Sequence, residues 1–130
     1  MFLDTSGLVC LFDKGERRHH LALSLFDATA GKLTTDYVLA EFVAVCSARK
    51  LARQICLEFV IAIHDGDEVM VEHVTEREHR AALELLANRT DKIWSLCDAV
   101  SFAKMQKHRL YDAFTTDHHF EQAGFVRLLK

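Results

Sequence analysis

A chain of 130 residues, half of them hydrophobic and 27% charged, is long enough to bury a real core and too short for two, so residues 1–130 are expected to form a single domain. No apolar run approaches the roughly 20 residues of a membrane-spanning helix, and no basic, then apolar, leader precedes the first strand, which points to a cytoplasmic protein without a membrane partner. The formal net charge of -3 excludes a generally basic nucleic-acid binder, while leaving room for a local basic patch or a site whose own acids call for metal.

The chain opens on Met1-Phe2-Leu3-Asp4-Thr5-Ser6-Gly7, an apolar run ending in an acid, which reads as a buried strand with a carboxylate at its tip. Asp4 is then either the cap of the helix that follows, Ser6 to Phe12, or a group at the carboxyl end of a parallel strand, where ligands and chemistry gather. Asp13-Lys14-Gly15 is a turn, and a second helix runs from Glu16 to Ala30 with Gly31 as its C-terminal cap. Lys32 to Thr35 is a second strand. Asp36 caps a third helix that carries Glu41 and turns Val38, Leu39, Phe42, Val43 and Cys46 inward. After a break near Lys50, Ile55, Phe59, Val60 and Ile63 give the fourth helix its apolar stripe, which His64-Asp65-Gly66-Asp67 closes.

Val69 to Val71 is the third strand. Thr75 to Glu78 has the spacing of a capping box, opening a helix with Ala82, Leu83 and Leu86 inward, and Asn88 to Lys92 is polar loop. Ser95 and Asp98 repeat the capping-box spacing ahead of a helix that runs to about His108. Leu110 to Thr116 is the fourth strand, Asp117 to Ala123 a short helix, and Phe125 to Leu129 the fifth strand. Strands alternating with helices predict a three-layer α/β/α fold around a five-stranded parallel sheet. Cys10, Cys46, Cys56 and Cys97 sit in apolar surroundings without the close spacing of a zinc or redox motif, and are expected to be reduced core residues.

In a right-handed strand-helix-strand layout, helix N-termini and strand C-termini share one edge of the sheet. Asp4 and Asp117 end strands one and four, and Asp98 lies in the first turn of the helix leading into strand four. Glu41 lies about a turn into its helix, and helical side chains lean toward the N-terminus, so it points back to the same edge. Each acid alone reads as a cap or a solvated surface charge; all four on one edge is poorly explained that way. At about 4 Å two like charges repel by roughly 4 kcal/mol at an effective dielectric near 20, so such a cluster calls for a divalent cation. All-oxygen donors select Mg²⁺ or Mn²⁺ over zinc and suit hydrolysis of a phosphodiester by metal-activated water.

Four segments in order carry a resemblance: Asp4-Thr5-Ser6, Thr34-Thr35-Asp36-Tyr37-Val38-Leu39-Ala40-Glu41, Trp94 to Phe102, and Thr115-Thr116-Asp117-His118-His119-Phe120. Together they resemble the successive motifs of the PIN-domain ribonucleases, and the length and the Trp94-Ser95 motif are similar to those of the VapC toxins. The resemblance spans the whole chain. It implies a five-stranded parallel sheet, a metal-dependent endoribonuclease acting on RNA, a homodimer, and inhibition by a cognate antitoxin protein. By position it assigns Asp4, Glu41, Asp98 and Asp117 to the acidic metal site, with Thr115 orienting the metal or its water. Some relatives carry a further acid beside the fourth, where this chain has His118 and His119.

Two other readings stand beside it: a phosphoryl-transfer domain of receiver or phosphatase type, and a catalytically silent PIN-like RNA-binding or assembly module. The phosphatase needs a second acid two positions after the first, where Ser6 stands, and a receiver needs an acidic pair that the short lead-in to Asp4 does not supply. The intact acids speak against the silent module. His118 and His119 are adjacent on a predicted helix, where neighbouring side chains point apart, and are read as surface residues. Trp94 reads as a base-stacking platform or a loop anchor. Lys14, Arg17 and Arg18, and separately Arg49, Lys50 and Arg53, read as solvated faces first and RNA-phosphate contacts second.

Overall fold

The computed structural model describes residues 1–130. In chain order the elements are β1 (Phe2–Leu3), α1 (Thr5–Phe12), α2 (His19–Ala28), β2 (Leu33–Thr35), α3 (Asp36–Ala48), α4 (Arg53–Asp65), β3 (Met70–Glu72), α5 (Glu76–Asn88), α6 (Leu96–Lys107), β4 (Asp112–Phe114), α7 (His119–Gln122) and β5 (Val126–Arg127). The five strands form one parallel sheet in the order β3-β2-β1-β4-β5, with Phe2 paired to Leu33 on one side and Ala113 on the other. From β1 the chain steps outward through β2 to β3, then crosses back to β4 and steps outward again to β5. Right-handed crossovers therefore put α1 to α4 on one face and α5 and α6 on the other. The packing agrees: α1 lies against α2 and α3, α3 against α4, and α5 against α6. The direction of stepping reverses between β1 and β4, and the crevice outside the carboxyl ends of those two strands is where such a sheet holds ligands.

β1 and β2 are short because the chain enters α1 and α3 within two residues of each strand's end, and β4 covers only the middle of the run Leu110 to Thr116. β5 ends at Arg127, yet the Leu128 amide still donates to the Ala113 carbonyl (3.0 Å) and the Leu129 amide to that of Thr115 (3.2 Å), so buried Leu129 continues the strand's course. Phe2, Leu3, Leu8, Phe42, Phe114 and Phe120 are fully buried between the layers, and all four cysteines are buried and free.

Several expectations need correction. The second helix starts at His19, and it ends at Ala28 with Thr29 as its cap, leaving Gly31 outside it. Thr35 caps α3, its hydroxyl accepting from the Val38 amide at 3.2 Å; Asp36 instead reaches across to accept from the Val74 amide at 3.0 Å, tying down the loop after β3. On α4, Cys56 and Ile63 are the buried residues and Ile55 is 58% exposed; on α5, Ala82 is buried but Leu83 is 47% exposed. Both capping boxes are formed as expected, with Thr75 and Ser95 accepting from the amides of Glu78 and Asp98, and each acid reaching back to its cap residue's amide.

A candidate acidic site at the switch point

Asp4 follows β1 directly and is 4% exposed. It occupies the N-cap position of α1, but its side chain makes no capping hydrogen bond, so the helix-cap reading fails. Instead its Oδ2 accepts from the Thr115 hydroxyl at 2.7 Å and the Ser6 hydroxyl at 3.1 Å. Thr115, just past β4 and fully buried, also accepts from the Asp117 amide at 3.0 Å and lies 2.8 Å from the Ser6 hydroxyl, which in turn accepts from the Thr116 amide at 2.9 Å. The ends of β1 and β4 are thus pinned through hydroxyls, and Thr115 orients Asp4 and Asp117 together. This close approach requires Gly7, since a Cβ there would stand 2.0 Å from the Phe114 carbonyl oxygen.

Asp98 both caps and faces the site. Its Oδ2 accepts from the Ser95 amide and from His119 Nδ1, each at 3.0 Å. Asp4 and Asp98 each direct these bonds to one oxygen, leaving the other free of side-chain donors. Asp117 lies beyond β4, its Oδ1 accepting from the His119 amide at 2.9 Å and its Oδ2 lying 3.3 Å from His119 Nδ1. Glu41 comes from the first half of α3. Asp4, Glu41, Asp98 and Asp117 all line one cavity of about 200 Å³, together with Thr5, Ser6 and Arg49. All four acids expected from sequence are therefore brought together, with Thr115 directly behind Asp4. The buried Thr5 hydroxyl has no hydrogen-bond partner, an orphaned oxygen among carboxylates.

Burial pushes the Asp4 carboxyl up to about 6, against the hydrogen bond from Thr115 and with the help of the negative charges of Asp98 and Glu41. A carboxyl so placed gains from a nearby cation. The oxygen-rich wall fits a hard divalent ion, and a second group able to take a metal, Asp117 with His118 and His119, adjoins it.

Sequence reasoning missed His119. Only 14% of its side chain is exposed, and its imidazole bridges Asp98 and Asp117. Helical spacing was the wrong frame for it: the Asp117 side chain caps the first turn of α7 and thereby sets the ring at the mouth of the site, while His118 stays 61% exposed. The signal was the Asp-x-His spacing after a strand. Trp94 is a loop anchor: it is 7% exposed, donates to Gln122 Oε1 at 3.0 Å and packs edge-on against Phe102.

Comparison with known proteins places the fold. The family model described as "PIN domain" matches residues 1–126. The chain is 33% identical over 129 residues to the 23S rRNA-specific endonuclease VapC20 of Mycobacterium tuberculosis strain CDC 1551, covering 98% of this chain and 97% of that one, and equally so to the protein of strain H37Rv. The crystal structure of Mycobacterium tuberculosis VapC20, described as a sarcin-ricin loop cleaving toxin, superposes with a TM-score of 0.91 at 32% identity, covering 99% of this chain and 98% of that one.

Proposed function

The chain belongs to the PIN-domain family, and from that premise we propose that it is a metal-dependent endoribonuclease, the toxin of a toxin-antitoxin pair, acting as a single domain on structured RNA. The observation that carries this reading is the convergence of Asp4, Glu41, Asp98 and Asp117 on one cavity at the switch point. The endonuclease activity of the VapC20 relative makes the sarcin-ricin loop of 23S rRNA the first substrate to test.

Asp4, Glu41, Asp98 and Asp117 would hold Mg²⁺ or Mn²⁺, and the fit rests on the donor set: carboxylate oxygens, two of the acids with one oxygen left free, and an unpartnered hydroxyl on Thr5. When bound, such an ion acidifies water and neutralises the charge that develops on a phosphodiester under attack. The remaining work falls to the chain. Thr115 and Ser6 fix the Asp4 carboxylate, and the Ser95 amide and His119 fix that of Asp98, so neither has to be reoriented when RNA arrives.

An antitoxin protein silences this site most simply by delivering an arginine or lysine into the carboxylate cluster, and we place the toxin in the cytoplasm, as a homodimer with its antitoxin bound. Expression of the chain alone is expected to arrest growth and to create new RNA 5′ ends, with the 23S rRNA sarcin-ricin loop among them. Asp4→Asn and Asp98→Asn should be harmless though folded, and His119→Ala should lose about 10- to 100-fold in cleavage through misplacement of two acids. Toxicity of both acid variants equal to that of the parent would overturn the reading.

A further inference from the structure

Two basic clusters far apart in sequence are joined in the fold. Arg49, the C-terminal cap of α3, sets a guanidinium nitrogen 2.5 Å from Glu16 Oε1 in the loop between α1 and α2. The loop bearing Lys14, Arg17 and Arg18 is thereby tied to the junction bearing Lys50 and Arg53. Arg49 is also the one cation among the nine residues lining the acid cavity.

The backbone fixes where Arg49 leaves the helix. Lys50 takes the left-handed conformation, φ 57°, and the Leu51 amide turns back to the Cys46 carbonyl at 3.0 Å. Glycine would occupy that position without strain, so a lysine there keeps a cation beside Arg49 at a backbone cost. Favourable placement of cations at a helix C-terminus accounts for a positive charge at this end of α3, but not for a guanidinium in the wall of the cavity.

A phosphodiester needs such a group. With one divalent ion among four ionised carboxylates, two negative charges remain uncompensated, and the chain as a whole, at -3, offers no attraction. Glu16 engages one nitrogen of Arg49, and its remaining N–H donors have no protein partner. An arginine held at one nitrogen keeps the planar fork with which guanidinium grips phosphate oxygens.

We propose that Arg49, positioned by Glu16, is the phosphate-binding residue of the acid cavity, gripping the RNA backbone beside the scissile phosphate, with exposed Arg17, Lys50 and Arg53 extending the basic track away from it. This rests on the ribonuclease reading above. The test is fluorescence anisotropy of a labelled hairpin carrying the 23S rRNA sarcin-ricin loop, titrated with Asp98→Asn protein from about 50 to about 200 mM salt. Adding Arg49→Gln should weaken binding roughly tenfold and flatten the log affinity against log salt slope by about 1. Arg49→Lys should keep the slope and lose a few-fold in affinity. Glu16→Gln should also keep the slope, because the charge that contacts phosphate is still present. In the cleaving protein, Arg49→Gln should raise KM with kcat near that of the parent. Parent-like affinity and slope for Arg49→Gln would overturn the inference and leave the ribonuclease reading standing. So would equal losses for Arg49→Gln and Glu16→Gln, since the ion pair would then be only structural. No binding by any form at the lowest salt would overturn the ribonuclease reading and this inference with it.

Discussion

A carboxylate that is 4% exposed loses most of its hydration, and two hydroxyl donors do not fully replace it, so Asp4 holds its proton up to about 6. Burial leads this shift, with repulsion from Asp98 and Glu41 adding to it, whereas the sequence suggested crowding of like charges as the driving force. The sign for stability follows from proton uptake. Between an unfolded value near 3.8 and a folded value of about 6, the native state binds more protons than the unfolded state. Stability is therefore unaffected below the lower value, falls as pH rises through the window, and stays reduced above it by roughly 3 kcal/mol. Asp4→Asn keeps an acceptor for Thr115 and removes the charge. In chelator at pH 7 it should melt above the parent, with the gap closing toward pH 4; equal melting temperatures throughout would mean that the Asp4 charge costs the fold nothing. The position of Asp4 was legible because an acid straight after an apolar strand has few places to go. Its surroundings were legible only in part: Thr115, Ser6 and His119 all lay inside motifs, but that Ser6 reaches Asp4 and His119 reaches Asp98 depends on turns that bring their side chains back to acids two and twenty-one residues away.

At the scale of elements, what holds the α5/α6 layer to the sheet was invisible in the periodicity. Lys104, 2% exposed on α6, donates to Glu72 Oε2 on β3 at 2.8 Å, to Glu78 Oε1 on α5 at 3.0 Å and to the His73 carbonyl at 3.3 Å. A lysine near the end of a helix reads as a solvated C-terminal charge; only the crossover that lays α6 beside β3 reveals its partners. Burial alone would raise the Glu78 carboxyl, but hydrogen bonds from Lys104 and from the Thr75 amide outweigh it and hold it down to about 2. With the folded value below the unfolded one, this group's contribution is full above about 4.5 and is lost as pH falls through about 2. Lys104→Ala strands two partly buried acids and should cost about 3 kcal/mol in urea denaturation at pH 7, with the deficit shrinking toward pH 2 as Glu78 protonates in both proteins. A deficit independent of pH would assign the loss to packing of the lysine stem. The capping boxes at Thr75 and Ser95 were readable because their chemistry is local; the exposure of Ile55 and Leu83 was not, because a helix with apolar residues around much of its circumference does not declare which face meets the sheet.

At the scale of the whole molecule, the order of strands places the chemistry. Because the sheet is extended from β1 in one direction and from β4 in the other, no helix covers the crevice between their carboxyl ends, and residues 4, 115 and 117 arrive there from segments more than a hundred residues apart. Alternation of strands and helices made the parallel sheet and the shared edge legible, and the four acids followed from that edge; the imidazole across two of them and the arginine in the wall needed the fold. A cluster assembled by the whole chain but destabilised at its centre has a consequence for metal. An ion binding only the native state at ~100 times its dissociation constant stabilises it by roughly 2.7 kcal/mol, a rise in melting temperature on the order of 10 °C for a domain of this size. If the proposed acids hold the ion, the parent should melt higher in saturating Mn²⁺ than in chelator, while Asp4→Asn, lacking the carboxylate proposed as a central ligand, should respond weakly. The gap between the two proteins should then close: Asp4→Asn melts above the parent in chelator at pH 7, and the two melt about level in Mn²⁺ at ~100 times its dissociation constant, because the ion returns to the parent roughly what the Asp4 charge costs it. Differential scanning calorimetry of both, in chelator, Mg²⁺ and Mn²⁺, reads this directly without any RNA. If metal raises both melting temperatures equally, it binds away from Asp4, and the converging carboxylates are not its site.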